Sequence, residues 1–168
     1  MKQVHWLMIN CLLDRGLDLL TSQLVQVRGQ SMLPPITPGS WVRVSRRSYW
    51  GNSPARFDIV RFFDPMSPNL WAVKRIIGLP GEWVSLDGHG LKVNGWFVEE
   101  PHIQTVLTQE TGPIGEWWTG KYEYILIGDN RAASTDSRHY GPVHRSAISG
   151  KVASSFYPSC NHRAASIA

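Results

Sequence analysis

The chain has 168 residues, of which 42% are hydrophobic and 18% charged; this excludes a disordered polar tail and allows one domain with a real core, or a core with a small subdomain. A net charge of +4 suits an anionic membrane surface or nucleic acid, but the densest cationic run, Arg43 to Ser48, is short. No zinc-finger, basic-zipper or RNA-recognition signature occurs, so no nucleic-acid partner is expected.

Residues 1–24 come first. The longest charge-free run, Val4 to Leu13, is ten residues and ends at Asp14 and Arg15. A membrane-spanning helix needs about 20 apolar residues, so the segment is not expected to span, and it lacks the basic start and A-x-A end of a cleaved leader. Trp6, Ile9, Leu13, Leu17, Leu20 and Leu24 recur at three- and four-residue steps, the stripe of an amphipathic helix. Such a helix packs on its own domain, lies in a membrane interface or binds a partner; the sequence leaves all three open.

Strand signals follow. "LVQVRG", Ser40–Arg46 and Phe57–Phe63 alternate or are rich in β-branched and aromatic residues. Leu70–Ile77 reads as a strand closed by a Gly-Leu-Pro-Gly turn. Glu82–Ile103 reads as short strands joined at "DGHG" and "NG". Thr105–Gly120 is weakly patterned and expected to be a loop. "KYEYILIGDN" is a strand ending in a polar turn, and residues 141–158 give a turn and a last strand. The expected fold is mainly β, a coiled or closed sheet with a short N-terminal helix. The expected division is 1–24 (amphipathic helix), 25–158 (core domain) and 159–168 (a small polar tail). Cys11 and Cys160 have no CxxC spacing, which leaves a zinc or thioredoxin-like centre without support. The eight tryptophans fit either a Trp-rich core or aromatic surfaces at a wet–apolar boundary.

Ser31, in "RGQSMLPPI", raises the question of chemistry. A serine hydroxyl is a weak nucleophile that needs a base. None of His5, His89, His102, His139, His144 or His162 stands in a pattern associated with a Ser-His-Asp triad, and "GQSML" is not the G-x-S-x-G elbow. A lysine also serves as base when desolvation lowers its pKa. Lys74 fits best, flanked by Trp71, Val73, Ile76 and Ile77, although a lone strand lysine ordinarily faces solvent; Lys92 and Lys121 stand in polar or turn-rich contexts.

"GQSMLPPI", "FDIVRF", "AVKRIIGLPGEWV", "LKVNGWFVEEPHI" and "GDNRAASTDSRHYGPV" occur in this order. In order and spacing the chain resembles the type I signal peptidases, the Ser-Lys enzymes that remove signal peptides, over about residues 25 to 153. The resemblance implies Ser31 as nucleophile and Lys74 as general base, with no metal or other cofactor. It implies Ser134 as the hydroxyl that orients the lysine. It implies Arg75, Asp136 and Arg138 as a charged cluster holding the "GDN…DSR" loop, with Asp129 in support and Gly128 and Gly141 at sharp turns. It implies a substrate bound as an extended strand between Val25–Gln30, including Val27, Gly29 and Gln30, and Trp71–Val73, with Met32 and Val73 as pocket walls selecting Ala at −1 and −3. The implied partners are precursor proteins bearing signal peptides and a membrane lipid surface. The implied location is the outer face of a bacterial cytoplasmic membrane or, alternatively, the mitochondrial inner membrane.

The chain departs from the family pattern at Pro35, at Phe57 in place of a common Gly, and at Glu82 in place of Asp. With Gly29 two residues before the serine, no hydroxyl is available there as a second oxyanion donor. Two rivals share the scaffold. A self-cleaving repressor would need a DNA-binding module larger than the 25 or so residues that precede the core, and an inactive binding protein would not need every catalytic position filled.

Overall fold

The computed structural model describes residues 21–67, 69–103 and 115–156, among which eleven strands form two sheets. The strands are β1 (Gln23–Gln26), β2 (Trp41–Ser45), β3 (Ile59–Phe63), β4 (Trp71–Gly78), β5 (Trp83–Asp87), β6 (Gly90–Val93), β7 (Trp96–Val98), β8 (Gly115–Trp118), β9 (Glu123–Ile127), β10 (Val143–His144) and β11 (Ile148–Phe156). A one-turn helix, α1, spans Ser137–Tyr140. The larger sheet runs β1-β2-β11-β3-β4-β9-β10 and the smaller β7-β6-β5-β8, with antiparallel neighbours throughout.

Where one face is covered, burial alternates with the pleat: Val42 in β2, Val60 and Phe62 in β3, and Leu91 and Val93 in β6 are buried between more exposed neighbours. The end of β4 and nearly all of β9 are buried continuously because apolar clusters cover both faces. One cluster gathers Val60, Phe62, Ile76, Tyr124 and Leu126. Another joins the two sheets through Ile77, Val84, Leu86, Ile125 and Ile127. A third, Met32, Ile36, Val42 and Val44 with Val25, Val27, Ile59 and Val73 against it, lies where β1 and β2 face β3 and β4. The larger sheet is therefore curled on itself, and Gly150 lets β11 cross closely, since a Cβ there would meet Ser45 O at 2.6 Å.

Several expectations change. Leu24, counted in the helical stripe, lies in β1, which begins at Gln23; the remainder of the expected helix, up to residue 20, and the tail lie outside the described residues. Within the expected loop, 105–114 lie outside them too, but Gly115–Trp118 is a strand, paired residue for residue with β5. Gly115 and Glu116 are poor strand formers although Trp117 and Trp118 are good ones, and the ladder to β5 supplies what local preference does not. The "NG" hairpin forms as expected, with Asn94 and Gly95 both at positive φ. Phe57 keeps a φ of 70°, a left-handed conformation that costs a non-glycine residue about 1 kcal/mol or more. Glu82 bridges the two sheets: it accepts from Leu79 N and pairs with Arg56, which also donates to Ile77 O. Among the described residues no helix is long and apolar enough to cross a membrane.

Two features position the site. β1 is the edge of the larger sheet and pairs only with β2. β4 pairs with β9 only from Arg75 onward, so Trp71–Lys74 also present an unpaired edge.

Candidate active site

Ser31 sits in a turn planted by its neighbours. Met32 and Ile36 are sunk in the core, and Ile36 N donates to Met32 O. The turn is tied to the segment after β9, because Asn130 donates from its backbone N to Ser31 O at 3.0 Å and from Nδ2 to Gln30 O at 3.1 Å. The Ser31 N–H makes no backbone hydrogen bond among the described residues, which leaves it available to a ligand.

Lys74 stands opposite Val60 across the β3–β4 ladder, and only 4% of it is exposed. Burial lowers its pKa from the ordinary 10.5 to about 8, against the opposing pull of the Asp136, Asp64 and Asp129 charges and with help from Arg138. Among the described residues no acid forms an ion pair with it, so desolvation prevails. The β4–β9 register pairs Arg75 with Ile127; one step further, Gly128 stands level with Lys74.

Gly128 joins the pieces. A Cβ there would lie 2.2 Å from Ser134 Oγ and 2.6 Å from Ser31 O. Its φ is not positive, so it is required for close approach and not, as expected, for a sharp turn; Gly141, at φ 78°, does serve a turn. Ser134 Oγ donates to Asp136 Oδ2 at 2.6 Å, so its own proton is committed to Asp136 and what it can offer a lysine ammonium is a lone pair. Asp136 also accepts from Gly128 N and twice from the Arg138 side chain, and it caps α1. Burial alone would raise the Asp136 pKa, but Arg138, Ser134 and the Gly128 N–H hold it below the usual carboxylate range.

The expected single charged cluster is two separate clamps. Arg75 does not pair with Asp136; it grips Asp129 through two hydrogen bonds, at 2.8 and 2.6 Å, and donates to Phe57 O. The fork geometry of a guanidinium on a carboxylate explains the preference for one partner. Sequence reasoning missed Asn130, and also Arg131, which donates to Gly128 O and pairs with Glu100; the only signal for Asn130 was its place in "GDN".

A cleft of about 420 Å³ opens between the two unpaired edges, lined by Val25–Gly29, Ser31, Arg61 and Leu70–Val73. Val27, Gly29 and Val73 thus line it as expected. Gln30 and Met32 do not: Gln30 is held by Asn130 through its carbonyl, and Met32, 1% exposed, is core. Arg61, which the sequence did not single out, is in the cleft wall.

The family described as "Signal peptidase, peptidase S26" matches residues 1–157. Signal peptidase I V of Bacillus subtilis (strain 168) is 35% identical over 138 residues, 76% of this chain and 81% of that protein. Signal peptidase I of Bacillus caldolyticus is 37% identical over 143 residues, 79% of this chain and 78% of that protein. The crystal structure of a signal peptidase I from Enterococcus faecalis V583 superposes with a TM-score of 0.54 at 28% identity, covering 60% of this chain and 97% of that one. A curled β-sheet with this sequence match along nearly its whole length belongs to the signal peptidase family, peptidase S26.

Proposed function

We propose that this chain is an endopeptidase that removes signal peptides from exported precursor proteins, with Ser31 as nucleophile and Lys74 as general base. The observation that carries the reading is the buried Lys74, whose pKa of about 8 leaves about one molecule in ten with a free amine at pH 7, beside the cleft that Ser31 lines. Neutral Lys74 takes the Ser31 proton as Oγ attacks the scissile carbonyl, and the Ser31 N–H donates to the oxyanion. Collapse breaks the C–N bond, Lys74 returns the proton to the leaving amine, and an ester on Ser31 remains. Lys74, neutral again, activates the water that hydrolyses it. Ser134 accepts from the ammonium form of Lys74 while Asp136 fixes its hydroxyl.

The two unpaired edges, β1 and the start of β4, suit a substrate that adds to both as an extended strand. Ala at −1 and −3 then points into the cleft near Val73. The family is membrane-associated, and we place this member's cleft at the outer face of the cytoplasmic membrane. The amphipathic segment before β1 would lie in the interface, joined by the exposed Trp83, Trp96, Phe97 and Trp118 of the smaller sheet.

The test is cleavage of a presequence peptide with Ala at −3 and −1. Wild type cuts it, and Ser31→Ala and Lys74→Ala each lower kcat/KM by about a thousandfold or more. Activity surviving Lys74→Ala would overturn the mechanism.

A further inference from the structure

Two cations stand in the wall of the cleft, Arg28 on the segment after β1 and Arg61 on β3, where most other lining groups are apolar or backbone; Arg61 is the one on the β3–β4 side. It stands opposite Val73 in the β3–β4 register, so its side chain shares the face that carries Trp71 and Val73 toward β1. Two contacts fix the guanidinium there: it lies 4.1 Å from the Trp71 ring centroid, and Nη1 donates to Gln23 Oε1 at 2.7 Å. Its Nε is buried without a hydrogen-bond partner, its Nη1 is taken by Gln23, and among the described residues no acid pairs with it, which leaves Nη2 as the donor open to a ligand. A half-buried cation with an unused donor in the wall of a ligand cleft is a recognition element lacking its other half.

We infer that Arg61 makes the −3 subsite of this chain select a substrate side chain bearing a carboxylate, Asp or Glu, over a small aliphatic one. The inference rests on the peptidase reading above and refines it. Position follows from strand spacing. The free edge of β4 ends at Lys74, so the residue at −1 lies beside Val73 and Ser31. A substrate strand in register with β4 places −3 two residues back, roughly 7 Å away, at the level of Trp71 and the guanidinium stacked on it. Residues −1 and −3 point the same way, into the face that holds Arg61, whereas −2 points away. Burial and the charge of Arg46 both work against the protonated guanidinium, and a substrate carboxylate would relieve both. A carboxylate there would accept from the unused donor in a charge-assisted hydrogen bond.

The experiment is a peptide series with Ala fixed at −1 and Glu, Gln, Ala or Lys at −3, cut by wild type and by Arg61→Met, which keeps the aliphatic stem. Wild type should rank Glu first and Lys last, with kcat/KM for Glu about tenfold or more above Ala, the yield of one charge-assisted hydrogen bond. In Arg61→Met the Glu-to-Ala ratio should fall to one or below. Cleavage of the Ala peptide by wild type with no advantage for Glu overturns the inference and leaves the peptidase reading standing. So does a Glu preference that persists in Arg61→Met. If wild type cuts none of the series, both readings fall. Should Arg61→Met not fold, the wild-type ranking still decides.

Discussion

Replacing Lys74 with Met keeps an unbranched side chain in the same apolar site and deletes the charge, so it measures what the buried amine costs the fold. In the folded chain Lys74 binds its proton with a pKa of about 8 against an ordinary 10.5. Below pH 8 both folded and unfolded chains carry the ammonium, and the fold bears the full cost of burying it, about 3 kcal/mol at 1.36 kcal/mol per tenfold change in proton affinity. Between about 8 and 10.5 the unfolded chain still holds the proton and the folded chain does not, so stability rises with pH; above that window the cost is gone. Lys74→Met should therefore be about 3 kcal/mol more stable than wild type at pH 7, with a gain that shrinks toward its packing contribution by pH 10.5. Urea unfolding of both proteins at pH 7 and at pH 10.5 measures it, because packing differences are common to both conditions and cancel. A stability difference that does not change with pH would refute the reasoning and with it the desolvated amine.

The same displacement fixes the rate. For a peptide with Ala at −1 and −3, kcat/KM should climb with pH to a plateau with an apparent pKa near 8, and a limb near 10.5 would mean a solvated Lys74. Gly128→Ala would bring a Cβ to 2.2 Å from Ser134 Oγ and 2.6 Å from Ser31 O; the second contact is backbone and cannot turn aside. Its kcat/KM should fall about a hundredfold, with a stability loss of about 1–3 kcal/mol from overpacking, read by peptide cleavage and thermal unfolding. Wild-type activity in that variant would show that the serine turn and the Ser134 segment do not depend on this close approach.

Ser31 and Lys74 could be put forward together from the sequence because each lies in a contiguous motif; the burial of Lys74 was legible because a lysine flanked by apolar residues on both faces announces desolvation. The hairpins were legible for a similarly local reason, since the conformation at Asn94-Gly95 is one few residue pairs accept. Ser31 and Met32 show the limit. They are adjacent, yet one lines the cleft and the other is core, and only the direction of the turn decides which. "GDNRAASTDSR" showed a cluster of charges but not its wiring. That Arg75 takes Asp129 and Arg138 takes Asp136 depends on which carboxylate falls within reach of each fork.

The sequence by itself determined the family, the mainly β architecture and the two residues proposed to do the chemistry, because alternation, turn residues and motif spacing are local properties. The curl of the larger sheet is not local. Folding β1 over β3 and β4 leaves two strand edges open along one cleft, presses Gly128 against Ser31 and Ser134, and turns Arg61 from an ordinary strand arginine into a charged part of that cleft's wall. Each of these depends on which surfaces meet when apolar faces are buried, and that is decided by the whole chain at once.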